Sequence, residues 1–285
     1  MRLTTLVNVA AVVVGLTLAG FVVMALLRDN STPPCSTRYP AATGLALKGE
    51  KGGLLSPSEL QARVGTEEWG VLENARVLAI KGAPSPLVLE VTLPKDSGSA
   101  FQSRAPKGGV GFRWKPAHMA GATGACLSYK VWLPEDFDFA QAGVLPGLFG
   151  GPAYDPLVKS DGKNGFATRI MWREHGTAEV SAQLPSEEAA LSRAIDAGKF
   201  VFPRGRWVAI EHEVVLNGPA AKDGVVRLWV DGVLKVERDG LIWRATDAVT
   251  LSGVLADVSY GGIDSPAVAP KTAALRLSPL EMSWR

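Results

Sequence analysis

Ten short runs of alternating apolar and polar residues restrict this chain more than any other feature. They cover residues 87–93, 110–115, 126–133, 166–173, 178–184, 207–216, 225–230, 233–238, 254–260 and 273–277, with Gly, Pro, Asn or Asp between them. Successive side chains of a strand point to opposite faces, so a period of two marks a half-buried strand. Asp231-Gly232 joins two of the runs and carries the Asp-Gly signal of a two-residue hairpin. His175-Gly176-Thr177 turns a second hairpin. Helical signals are confined to 56–63, where Ser56 and Glu59 have capping-box spacing, and to one or two turns within 186–197. Strands without interleaved helices exclude a parallel α/β sheet. The expected fold is all-β, an antiparallel sandwich of the jelly-roll, concanavalin-like kind.

A separate signal lies at the N-terminus. Residues 3–27 carry no charge and are bracketed by Arg2 and Arg28. About 20 apolar residues span a bilayer, whereas a signal-peptide core has only about 7–15. The length favours one transmembrane helix as an uncleaved anchor; small residues such as Ala19-Gly20 leave a cleaved signal as the alternative. Residues 1–28 are therefore read as anchor or signal, 29–53 as a Pro/Ser/Thr/Gly-rich linker and 54–285 as the globular domain. A very short N-terminal tail places the domain outside the cytoplasm, periplasmic or extracellular, tethered to the membrane through residues 3–27 or secreted after cleavage. Export would let Cys35 and Cys126 form a disulfide; otherwise they are two free thiols.

Composition removes other classes. Thirty Lys+Arg against 28 Asp+Glu give a net charge of +2, without the basic excess of a nucleic-acid binder. Two Cys and three His provide neither a multi-disulfide scaffold nor a zinc module. Glu211, His212 and Glu213 are consecutive on a strand, so they cannot converge on one ion. His118 and His175 read as exposed loop and turn residues. No phosphate loop or nucleophile elbow is present, and no metal or cofactor is expected.

Alternation also assigns faces. Phe166, Thr168, Ile170 and Trp172 form a core set, as do Val180, Ala182 and Leu184. The opposite face then collects Arg169, Arg173, Glu179, Ser181 and Gln183, and the same parity adds Ser128, Lys130 and Trp132 from an earlier strand. Two readings of this face stand side by side. It is a groove for an anionic polysaccharide, with Arg suited to bidentate carboxylate recognition. Or it is an ordinary solvated sheet face with Arg–Glu pairs.

From about Pro86 onward the chain resembles polysaccharide lyase family 14, the alginate and glucuronan lyases. Leu89-Glu90-Val91-Thr92-Leu93-Pro94-Lys95-Asp96-Ser97 is similar to the family's early strand and turn, and Ser128-Tyr129-Lys130-Val131 with Phe137-Asp138-Phe139 to its next strand and exit. Gly143-Val144-Leu145-Pro146-Gly147-Leu148-Phe149-Gly150-Gly151 is similar to its Gly-Lys-Leu-Pro-Gly-Leu-Tyr-Gly-Gly loop. Gly165-Phe166-Ala167-Thr168-Arg169-Ile170-Met171-Trp172-Arg173 is similar to its Gly-Phe-Ser-Thr-Arg-Leu-Met-Trp-Arg strand, and Ser259-Tyr260-Gly261-Gly262 to its late Phe-Phe-Gly-Gly. The resemblance implies a jelly roll and β-elimination, in which a uronate carboxylate is neutralised, a base removes the C5 proton and an acid protonates the leaving oxygen. The family's loop Lys falls on Val144, its Ser on Ala167 and its two Tyr on Ser181 and Gln183; only its Arg is kept, as Arg169.

The catalytic residues are accordingly unknown. The expectation is an exported, polysaccharide lyase 14-like protein that binds an acidic polysaccharide and either cleaves it with a rebuilt acid/base pair or does not. Arg169 is the expected carboxylate contact, with Arg173, Gln183, Ser181, Lys130, Glu179 and Tyr260 around it. The alternative is a structural or interaction module of the cell envelope.

Overall fold

The computed structural model describes residues 32–285 except 66, 186–189, 220 and 264. The apolar run 3–27, read above as an anchor or signal, lies outside the described residues. Among the described residues no helix is long and apolar enough to cross a membrane.

Two nine-stranded sheets form the domain. In the first, the path runs Val233–Leu241, Gly224–Val230, Trp207–Val215, Gly124–Trp132, Ala273–Leu277, Leu87–Leu93 and Ala75–Ala79, and Glu281–Trp284 also pairs with Gly124–Trp132. In the second it runs Arg193–Ile195, Ala178–Gln183, Phe166–Arg173, Gly147–Gly150, Leu251–Leu255, Gly111–Trp114 and Glu68–Trp69, with Ala142–Leu145 also on Phe166–Arg173. All the pairings between these strands are antiparallel. Asp231 and Gly232 both take positive φ, 49° and 78°, as the tight hairpin turn between Val230 and Val233 requires.

The core lies between the sheets and follows the expected parity. Phe166, Thr168, Ile170 and Trp172 face inward and are fully buried, as are Leu127, Val131, Ile210 and Val214 from the first sheet. Polar contacts cross this layer: Thr168 Oγ1 lies 2.7 Å from His212 Nε2, and the Tyr129 hydroxyl donates to the Pro146 carbonyl at 3.2 Å. Full burial without a counter-charge in contact disfavours the imidazolium and lowers the His212 pKa to about 4.

Three expectations need correction. Ala41–Gly44, within the stretch read as linker, is a strand that pairs with Glu281–Trp284. Arg193–Ile195, within the stretch read as a helical turn, is an edge strand, because Val180, Ser181 and Ala182 offer it hydrogen-bonding partners. The run 254–260 is not one strand: Leu251–Leu255 and Ser259–Tyr260 are separate. The helix at Pro57–Val64 forms as its capping box implies, with Glu59 N–H donating to Ser56 Oγ and Ser56 N–H to the Glu59 carboxylate.

The N-terminal strap is fixed to the outer face of the first sheet. Cys35 and Cys126 form a disulfide. Next to it the buried Glu213 carboxylate accepts from the Tyr39 hydroxyl, from Arg38 Nη2 at 2.7 Å and from Arg227 Nη1 at 2.7 Å. Burial opposes the Glu213 charge, but these three donors outweigh it and hold its pKa below the usual carboxylate range.

Candidate functional site

Strand register brings the five family positions together. Val144 lies opposite Met171, Ser181 opposite Arg169 and Gln183 opposite Ala167. Opposed residues of an antiparallel pair share a face, so all five point to the outer side of the second sheet. The motif read as a loop is two short strands, Ala142–Leu145 and Gly147–Gly150, both paired with Phe166–Arg173 and joined by a turn that passes close to it. A Cβ on Gly147 would lie 2.0 Å from the Thr168 carbonyl oxygen, so only glycine fits there.

This face is not wet. Ala167, Arg169, Met171, Glu179, Ser181 and Gln183 are all at most 7% exposed. The expectation of a solvated face fails because residues from outside the strands cover it. Tyr154, from the loop after Gly150-Gly151, packs with Phe149, Ala167 and Leu255. Asp257, from the break between the two late strands, is 3% exposed.

Arg169 is the centre of the covered network. Its Nε donates to Asp257 Oδ2 at 2.9 Å, its Nη2 to the Tyr154 hydroxyl at 3.0 Å and its Nη1 to Gln183 Oε1 at 3.3 Å. Tyr154 in turn donates to Gln183 Oε1 at 2.6 Å, and Gln183 Nε2 donates to the Pro156 carbonyl at 3.0 Å. Burial works against the Arg169 charge, but Tyr154 and Asp257 more than offset it and raise its pKa. Burial likewise raises the Tyr154 pKa, against the pull of Arg169. The phenol is therefore protonated at neutral pH. Both charges of the Arg169–Asp257 pair are desolvated, so each depends on the other.

The space left above this network is small. The depression bounded by Arg169, Met171, Arg173, Ser181, Ser192 and Ile263 holds about 10 Å³, enough for one water and not for a sugar ring. A larger groove of about 450 Å³ opens beside it, past Tyr154 and Asp257, along Trp69, Phe101 and Arg113. That groove also carries Glu67, Glu68 and Asp155, and Arg113 Nη1 is 2.6 Å from the Glu67 carboxylate. With Asp257 paired to Arg169, the three carboxylates Glu67, Glu68 and Asp155 against the single lining cation Arg113 make it a poor cradle for a polyanion.

The other expected site residues divide. Arg173 is at the rim and pairs with Glu179, so neither is a free ligand group. Ser181 Oγ donates to Ser192 Oγ at 3.0 Å. Lys130 is not beside Arg169: it is exposed on the outer face of the first sheet, opposite Ala209. Parity shared between strands does not place them in one sheet. Tyr260 is not beside Arg169 either but in the core. It lies opposite Gly143, faces inward, stacks on Phe137 at 5.8 Å and gives its hydroxyl proton to the Asp138 carbonyl. Tyr154 was invisible to periodicity because it comes from a loop, and Asp257 because it lies in a break inside a run whose alternation suggested one continuous strand. The signal that could have found Asp257 is a lone carboxylate inside the otherwise uncharged run 254–260, which demands a cationic partner if buried.

Comparison with known proteins agrees with this architecture. A PL-14 alginate lyase from Aplysia kurodai superposes with a TM-score of 0.72 at 21% identity, covering 90% of this chain and 100% of that one. An alginate lyase from Chlorella virus gives 0.64 at 21% identity, over 74% of this chain and 89% of that one. An endo-β-1,4-glucuronan lyase from the fungus Trichoderma reesei gives 0.51 at 11% identity, over 78% and 89%. At these identities the likeness is one of fold. No curated protein sequence matches the chain. Residues 82–277, most of the chain, match Polysaccharide lyase 14, and they hold the loop, the Arg169 strand and the five gathered positions described above; the chain belongs to polysaccharide lyase family 14.

Proposed function

We propose that this protein binds a uronate-containing polysaccharide outside the cytoplasm and does not cleave it by the family's β-elimination. One observation carries the second half of this reading. Arg169 is buried, charge-paired with Asp257 and engaged through Nε, Nη1 and Nη2. Its charge is already paired and three of its five N–H donors are spent, so it is poorly placed to neutralise a uronate carboxylate, the step that lowers the cost of the carbanion-like transition state. Val144 and Ala167 cannot take a C5 proton, because neither side chain titrates. The Tyr154 phenol is protonated and already donates to Gln183.

The binding half rests on family membership and on neighbours that are alginate and glucuronan lyases. Export is supported by the uncharged run 3–27 and by the buried Cys35–Cys126 disulfide, a bond that persists in oxidising compartments.

The test is affinity electrophoresis of the full-length protein, in mild detergent, through gels containing alginate, glucuronan or neutral dextran. Retardation by a polyuronate and not by dextran, with the recovered polymer unchanged in chain length, is the expected result. Equal mobility in all gels would move the assignment to an interaction module of the envelope.

A further inference from the structure

The outer face of the first sheet carries a row of residues that the family's chemistry does not use. Register aligns Trp207, Trp132, Arg276, Glu90 and Arg76 side by side across five neighbouring strands. Opposed residues share a face, so all five project from the same side of the sheet. Trp132 and Trp207 are half-buried, presenting two indole rings on adjacent strands. The Arg276 guanidinium lies over the Trp132 ring, 4.5 Å from its centroid, and gives Nε to Glu90 at 2.8 Å. This fixes the guanidinium plane, while its two terminal nitrogens take no hydrogen-bond partner among the described residues. Lys130, two residues before Trp132 and hence on the same face, is exposed and makes no ion pair among the described residues.

The outer face as a whole balances its charges, with Arg38 and Arg227 set against Glu213 and Glu237, but along the Trp132–Trp207 row cations exceed carboxylates, unlike the groove beside Arg169. Arg76, Arg276, Lys130 and Arg206 stand against Glu90 and Asp231. Glu90 is shared by Arg76 and Arg276, and Arg206 Nη1 is 2.8 Å from Asp231. Two further carboxylates, Glu211 and Glu281, lie at the strap end of the face, in a groove of about 390 Å³ that reaches Lys130. The carboxylates thus gather at the strap end and the cation excess lies along the Trp132–Trp207 row.

We infer that an acidic polysaccharide docks across this outer face, its sugar rings against Trp132 and Trp207 and its carboxylates on Arg276 and Lys130. The inference rests on the proposed binding function and locates it on the sheet opposite the family's cleft. Charge complementarity selects the occupant: a planar, rigidly held guanidinium suits a carboxylate, and an apolar ring suits the flat face of a pyranose.

The test repeats the alginate gel with the full-length variants Lys130→Glu, Trp207→Ala and Arg113→Ala. Lys130 is exposed, so its replacement leaves folding intact, and thermal unfolding of each variant checks this. Expected are losses of apparent affinity of about tenfold for Lys130→Glu and Trp207→Ala, and less than about twofold for Arg113→Ala. Retained binding in Lys130→Glu, or a loss confined to Arg113→Ala, would overturn the inference while leaving the binding function in place. A wild-type protein that no polyuronate retards would overturn both.

Discussion

The two outer faces of this sandwich are built from the same kinds of side chain and end in opposite states. On the second sheet, Arg169 is sealed beneath Tyr154 and neutralised by Asp257. On the first, Arg276 is braced by Trp132 and Glu90 and keeps 29% of its side chain exposed. Strand alternation distinguishes neither case, since it says only which face a residue is on. What covers the face comes from elsewhere in the chain. A retained family arginine is therefore no guide to a working carboxylate site until its partners are known.

The largest expected effect breaks the sealed face. Asp257→Ala leaves Arg169 buried and unpaired and should cost about 3–5 kcal/mol in urea unfolding. Replacing both, as Arg169→Met with Asp257→Leu, should recover most of that stability, because the desolvation penalty is removed along with the attraction. A loss below about 1 kcal/mol for Asp257→Ala would mean that water reaches the guanidinium, as at an exposed pair.

Next is the strap on the opposite sheet. Cys35 and Cys126 are 91 residues apart, so their bond constrains a long loop of the unfolded chain. Its removal, by reductant or as Cys35→Ser/Cys126→Ser, should lower stability by about 2–4 kcal/mol, read as a lower urea midpoint. An unchanged midpoint would show that the Glu213 ion cluster alone holds the strap.

The layer between the two faces has its own signature. The His212 pKa falls from the ordinary 6.5 to about 4 on burial. The native state therefore excludes a proton that the unfolded chain binds between these values. Stability is complete above about pH 6.5, falls as the pH drops towards 4 and then levels off, by about 3 kcal/mol at most. His212→Leu should flatten this window relative to wild type in urea titrations from pH 4 to 7. An identical slope in both proteins would show that other groups carry the pH dependence.

The smallest effect calibrates the comparison at the surface. Glu67 is 57% exposed where it meets Arg113, so Glu67→Gln should change stability by less than about 1 kcal/mol. A larger cost would mean that the groove beside Arg169 is as desolvated as the network itself.

Much of the fold was readable in the sequence. The period of two identified strands and their inward sets, the Asp231-Gly232 hairpin followed from turn chemistry, and the Ser56–Glu59 spacing marked a helix start. The gathering of Val144, Ala167, Arg169, Ser181 and Gln183 was also legible, through the family motif. Exposure was not. Tyr154 comes from a loop without periodicity, Asp257 from a break inside a run whose alternation suggested one continuous strand, and nothing in the strand Phe166–Arg173 reports that it will be covered. Lys130 shows the same limit in another form: parity set its face, and only the pairing of its strand with Trp207–Val215 set its sheet.

If the family's elimination site is closed in this protein, no unsaturated uronate should form from a bound polyuronate. Wild-type protein incubated with alginate and with glucuronan should give no rise in ultraviolet absorbance from the unsaturated product, even where the polymer is bound. A rise that is abolished in Arg169→Ala, with that variant still folded, would show that Arg169 reaches substrate and that the site is open.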